Sequence, residues 1–192
     1  MRPANKVVII VSFFSLLAAC RSSHAPITTA PHVDLSRFMG DWYVIANIPT
    51  RIERGAHNAM ESYRLDSDGS IPTTFTFREE GFEGPVKRYC PRGFVRDTAT
   101  NAVWYMQFVW PIKADYRIVF VSDDYQQTIV GREKRDNVWI MARTPQISAT
   151  EFEDLRAKVA SEGYDTSKLM PVPQQWPESA GAPPRSAGKE CS

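Results

Sequence analysis

Cysteine and histidine are scarce, with three of each in 192 residues. Three cysteines cannot frame a disulfide-dense mini-scaffold. His24, His32 and His57 are too few and too scattered for a His-rich metal site. Neither sign of charge is in excess. Lys and Arg number 23 against 22 Asp and Glu, a formal +1, which argues against a polybasic nucleic-acid partner. Also missing are a G-x-S-x-G elbow, a P-loop, a G-x-G-x-x-G turn and an H-E-x-x-H pair, so no catalytic residue, metal ligand or cofactor is expected. Cys90 and the lone domain histidine, His57, have no activating neighbour in sequence, which leaves an enzyme as the weakest reading. Large apolar residues are plentiful. A chain that is 43% hydrophobic and 11% aromatic holds enough for one folded core.

The N-terminus reads as an address. Residues 1–6 carry Arg2 and Lys6 and no acid, and residues 7–19 are almost wholly apolar. Such a run rises about 20 Å as a helix. A bilayer core is roughly 30 Å thick, so a signal peptide over 1–19 fits better than a span. Leu17-Ala18-Ala19-Cys20 resembles the bacterial lipobox, which implies acylation at Cys20. Arg21, where Asp would retain a lipoprotein at the inner membrane, implies a lipid-anchored, periplasm-facing protein of the bacterial outer membrane. Residues 20–33 read as a tether, 34–170 as the folded domain, and 171–192 as a Pro-rich low-complexity tail.

Eight runs rich in β-branched and aromatic residues follow, at 42–48, 58–65, 71–78, 86–96, 102–110, 114–121, 126–132 and 137–143. Short turn clusters separate them and no helix intervenes, so neighbours pair antiparallel in an all-β domain. Periodicity leaves a closed barrel and a sandwich equally open. One helix comes after the strands. Ser148 and Glu151 form a capping box, Ile147 and Phe152 a staple, and Phe152, Leu155 and Val159 one apolar stripe that packs outside the sheet.

Gly40-Asp41-Trp42-Tyr43, Arg51-Ile52-Glu53-Arg54-Gly55, Asp115-Tyr116 and Trp139-Ile140-Met141-Ala142-Arg143-Thr144-Pro145 stand in order along these runs. Together they resemble the motifs of the lipocalins, in the bacterial outer-membrane lipoprotein branch related to apolipoprotein D. The resemblance implies an eight-stranded antiparallel up-and-down β-barrel with one C-terminal α-helix outside. It implies structural roles for Gly40, Trp42, Asp115, Tyr116 and Arg143. Arg143 would lie over Trp42 at the closed end, with Asp115 and Tyr116 as loop and end-of-barrel residues. One departure is Phe75-Thr76-Phe77, where this branch carries Asn-Arg-Cys, exchanging polar anchoring for apolar area.

Alternation, taken with Arg143 as the inward reference, puts Phe75, Phe77, Trp104, Met106, Phe108, Tyr116, Ile118, Phe120, Trp139 and Met141 inside. Arg51 and Arg54 would meet a ligand's anionic head at the mouth. The implied occupants are fatty acids or lysophospholipids, stored or transported in support of the envelope. The alternative is a non-enzymatic envelope scaffold with a filled barrel. A homodimer stays open, and so does the pairing of Cys90 with Cys191 as against two free thiols.

Overall fold

Alternating inward apolar and outward polar residues make each strand half-buried, and nine of them form a continuous antiparallel sheet. They are β1 (Gly40–Ile48), β2 (Ala56–Tyr63), β3 (Ser70–Glu79), β4 (Val86–Tyr89), β5 (Arg92–Val95), β6 (Val103–Val109), β7 (Ile112–Val121), β8 (Gln127–Gly131) and β9 (Val138–Ala142). Neighbours in space pair antiparallel, with β4 and β5 both on β3, and β9 returns to β1, so the sheet closes into a barrel. The structure, a computed structural model, describes residues 25–178 and residue 191. The expected signal segment 1–19, the expected lipid anchor at Cys20 and the tail positions 179–190 lie outside the described residues.

The run expected at 86–96 is two strands, both paired to β3. Cys90-Pro91 breaks it, since Pro91 has no N–H to give the ladder. Its carbonyl still accepts from the Thr73 amide at 2.9 Å, so β4 and β5 together act as the fourth of eight barrel staves.

Two layers of core result. Inside the barrel, Trp42, Tyr63, Trp104, Ile118 and Met141 join Phe38 in one buried cluster. Outside, α2 (Ala149–Ser161) lays Leu155 and Val159 against Ile129, Val138 and Ile140. Its Ser148–Glu151 capping box is formed at both bonds.

Packed residues reach beyond 34–170 at both ends. The segment expected as a tether runs over the barrel, where Ile27, Ala30 and Val33 recur at every third position and are buried. The Ala30 amide donates to Ile118 O at 2.9 Å and the Val33 amide to Thr100 O at 2.7 Å. Asp34 then caps a single turn, α1 (Leu35–Phe38), that drops Phe38 into the closed end. Its ring sits 5.2 Å from Trp42, 5.6 Å from Tyr63 and 5.5 Å from Trp104. At the other terminus the segment expected as tail begins as a wedge. Register places only Gly40–Tyr43 of β1 against β2, leaving the two strands splayed toward the mouth. β10 (Met170–Pro171) pairs with Ala46 and Asn47, and Gln174 Nε2 donates to both Val44 O and Ala59 O, at 2.8 and 3.0 Å. Backbone groups that would otherwise be orphaned by the splay are satisfied in this way.

Candidate ligand-binding cavity

The end of the barrel opposite α1 is hollow. A cavity of about 350 Å³ lies between the aromatic plug and the loops at the other rim. That volume falls within the range of about 300–1,000 Å³ usual for small-molecule sites. Its walls are mainly apolar, from Phe75 of β3, Met106 and Phe108 of β6, Ala114 of β7 and Trp139 of β9, with Ile52 at the rim.

The rim loop 49–55 is tied down by a buried carboxylate. Glu53 accepts from Trp139 Nε1 at 2.6 Å and from the Thr50 amide at 2.8 Å. Thr50, Arg51 and Ile52 are thereby held at the entrance. Arg132, just past β8, stands there too, bound to Asn137 Oδ1 at 2.9 Å and to Asp136 at 3.4 Å. Thr50 Oγ1 and Arg132 Nε are buried and have no partner among the described residues. Two cationic side chains and an unpartnered hydroxyl at the mouth are suited to an anionic or polar head group.

Of the residues expected inside, the structure places Phe75, Met106, Phe108, Tyr116, Trp139 and Arg51 on the cavity. Trp104, Ile118 and Met141 point inward but are fully buried in the closed end, because α1 and the aromatic plug fill that half. Phe77 packs beside Phe75 and Tyr89, with centroids 5.3 and 6.1 Å away, rather than lining the cavity. Phe120 faces out. A register shift between Ile118 and Phe120 inverts the alternation, and Lys158 of α2 sits over its ring at 4.7 Å. Arg54 borders a separate shallow groove against residues 170–173. Arg132 takes the place expected for it at the mouth.

Asp115 and Tyr116 are mid-strand in β7 rather than at a loop or a barrel end. Asp115 receives the Arg117 guanidinium at 3.0 Å and the Glu133 amide at 2.7 Å. Tyr116 belongs to a polar group at the cavity floor that sequence reasoning missed. Its hydroxyl is 2.5 Å from that of Tyr63, which donates to Glu61. Burial, reinforced by the nearby Glu53, pushes the Glu61 carboxyl up to about 8. Burial also raises the Tyr116 phenol, with Glu61 adding to it. The available signal was parity: Glu61 shares a strand face with Ala59 and Tyr63.

Among the described residues no group of three or more His, Cys, Asp or Glu side chains converges as a metal site. Cys90 is joined to Cys191, which brings the far end of the chain back to the β4–β5 break.

A closed antiparallel barrel, plugged at one end, hollow at the other and flanked by a helix, defines a cup for a hydrophobic ligand. The chain belongs to the lipocalin family: the profile described as a lipocalin-like domain matches residues 33–174. It is 31% identical to temperature-induced lipocalin-1 of Arabidopsis thaliana over 166 residues, covering 81% of this chain and 88% of that one. With outer membrane lipoprotein Blc of Citrobacter freundii it shares 31% identity over 170 residues, covering 88% and 96%. Among solved structures, insecticyanin from the tobacco hornworm Manduca sexta superposes with a TM-score of 0.62 at 16% identity, covering 82% of this chain and 87% of that one.

Proposed function

We propose that the protein is a lipid-anchored carrier or store of single-chain amphiphiles, fatty acids or lysophospholipids, acting without catalysis at the periplasmic face of the bacterial outer membrane. The observation that carries this reading is the apolar cavity of about 350 Å³, with Arg51, Arg132 and the unpartnered Thr50 hydroxyl at its mouth. Burying an acyl chain supplies affinity at about 25 cal/mol per Å² without any reaction. The anchor part rests on Leu17-Ala18-Ala19-Cys20 and on the Blc relatives, themselves outer membrane lipoproteins.

The cavity's rim suits exchange with a lipid surface. The β6–β7 hairpin ends in Val109, Trp110 and Ile112, which are 66%, 82% and 70% exposed, directly above Phe108 of the cavity wall. An exposed Trp beside aliphatic residues is at home at a bilayer interface.

Native mass spectrometry of the protein, paired with displacement of a fluorescent fatty acid, tests the reading. Co-purified lipid and displacement by unlabelled fatty acid or lysophospholipid are expected. Absence of both would leave the envelope scaffold. Membrane fractionation of Cys20→Ser tests the anchor: the variant is expected to leave the membrane, and unchanged fractionation would refute acylation there.

A further inference from the structure

The cavity does not end on an apolar wall. Glu61 of β2 and Tyr116 of β7 both line its floor, with Tyr63 behind them. With Tyr63 giving its hydroxyl hydrogen to Glu61 Oε2, Tyr116 is the donor in the bond between the two phenols. That leaves two functions facing the hollow. Glu61 Oε1 has no partner among the described residues, and the Tyr116 oxygen keeps a lone pair.

Among the described residues no cation neutralises Glu61. The charged groups sharing the cavity are Arg51, Glu53, Asp115 and Arg132. Arg132 is held by Asn137 and Asp136, and Asp115 by Arg117 and the Glu133 amide. Glu53 holds the rim loop. With its carboxyl pushed up to about 8, Glu61 is protonated at neutral pH. Oε1 then carries an O–H donor beside the Tyr116 acceptor. A donor next to an acceptor complements one hydroxyl group, which accepts from the first and donates to the second. A carbonyl satisfies only Glu61, and a methyl end satisfies neither, leaving buried polar groups unpaired.

Resting on the reading that this cavity is the ligand site, we infer that Glu61 and Tyr116 form an inner subsite for a ligand hydroxyl. The preferred occupant is therefore an otherwise apolar molecule that enters hydroxyl first. An anionic group at its other end would stay at the mouth with Arg51. The departure from simple lipid binding is large, because a terminal hydroxyl weakens transfer into a purely apolar pocket.

The test is displacement of a fluorescent fatty acid from the intact protein by lauric acid and by ω-hydroxylauric acid, which differ only at the inner end. The hydroxylated acid is expected to bind on the order of 10-fold tighter. Glu61→Leu is expected to reverse that order, and Tyr116→Phe, which leaves the ring packing intact, to shrink the preference. Lauric acid binding as well as or better than its hydroxylated form to the unaltered protein would overturn the subsite while leaving the lipid-carrier reading in place. A preference untouched by Tyr116→Phe would overturn it as well, even if Glu61→Leu failed to fold. Failure of both acids to bind would remove the inference together with that reading.

Discussion

The guanidinium of Arg143 lies 3.7 Å from the centroid of the Trp42 ring, and both side chains donate to the carbonyl of Phe38. The same Nη2 of Arg143 also reaches the carbonyls of Arg37 and Met39, while Nη1 donates to Asp41 O and Nε to Tyr125 O. One side chain thus caps α1, covers the first indole and closes the barrel floor. Gly40, at φ +91, is where the chain turns from that cap into β1, and an added Cβ there would stand 3.4 Å from Arg143 Nη1.

Arg143→Ala is expected to lower unfolding free energy by about 3 kcal/mol, through lost cation–π contact and carbonyls left without their donor. Arg143→Lys should recover only part, since an ammonium cannot stack and fork at once. Fatty-acid affinity should hardly change, because the plug lies at the end opposite the mouth. Denaturant titrations beside ligand displacement measure both. A variant of normal stability that no longer binds would make Arg143 a ligand residue instead.

The C-terminal wedge makes a second, separable prediction. Arg78 is fully buried, and its guanidinium meets Glu178 at 2.5 Å and Gly84 O at 3.1 Å. Glu178→Ala should cost about 3 kcal/mol by leaving a buried charge undercompensated, and Glu178→Gln less. Unchanged melting of Glu178→Ala would mean that the Arg78–Glu178 pair does not hold the C-terminal segment on the barrel.

How much of this was legible in the sequence depends on how local the cause is. The strand runs, the Ser148 cap and the Leu155–Val159 stripe follow from neighbours in the chain, and they stand where periodicity places them. Phe120 was misplaced because alternation cannot foresee a register shift. Trp104, Ile118 and Met141 have the right parity, but which half of the barrel is hollow depends on α1, a four-residue helix too short to leave a periodic signal. The packed ends were hidden for another reason. Ile27, Ala30, Val33 and Val172 are single apolar residues among polar and proline positions, and only the barrel surface shows them buried. Glu61 reads on paper as a polar residue of a half-exposed strand. Its burial follows from Tyr63 and Tyr116 closing over it from two different strands.

Cys90 and Cys191, left open between a bridge and free thiols by sequence, are bonded across 101 positions. Unfolded but unreduced protein lacking residues 1–20 should therefore show no reactive thiol, and reduction should expose both. Two reactive groups before reduction would exclude the bridge.

Trp110 and Ile112 offer a partitioning test of the rim. Replacing both by Ser should reduce partitioning onto phospholipid vesicles at least ~10-fold, from the transfer energy of two large apolar side chains. Affinity for a monomeric fatty acid should stay near its original value, because neither residue lines the cavity. Equal vesicle binding by the double variant would remove the hairpin from any role at a lipid surface.

Glu61 should also leave a mark on stability against pH. Its carboxyl is pushed from the ordinary 4.5 to about 8, first by burial and second by the Glu53 charge. In the unfolded chain it ionises near the ordinary value, so between about 4.5 and about 8 the unfolded state binds fewer protons than the folded one. Stability from this group is then undiminished below 4.5, falls as pH rises through the interval, and is flat again above 8. The slope is at most ~1.4 kcal/mol per pH unit. Tyr116, raised well above its usual range, adds nothing in that window. Glu61→Gln keeps the shape and the acceptor for Tyr63 but cannot ionise. It should match the parent protein at acidic pH and exceed it in stability at alkaline pH, with the difference growing through the interval. Urea midpoints for both proteins across that range are the measurement. Parallel profiles would mean that Glu61 titrates as it does in water and that the floor of the cavity is open to solvent.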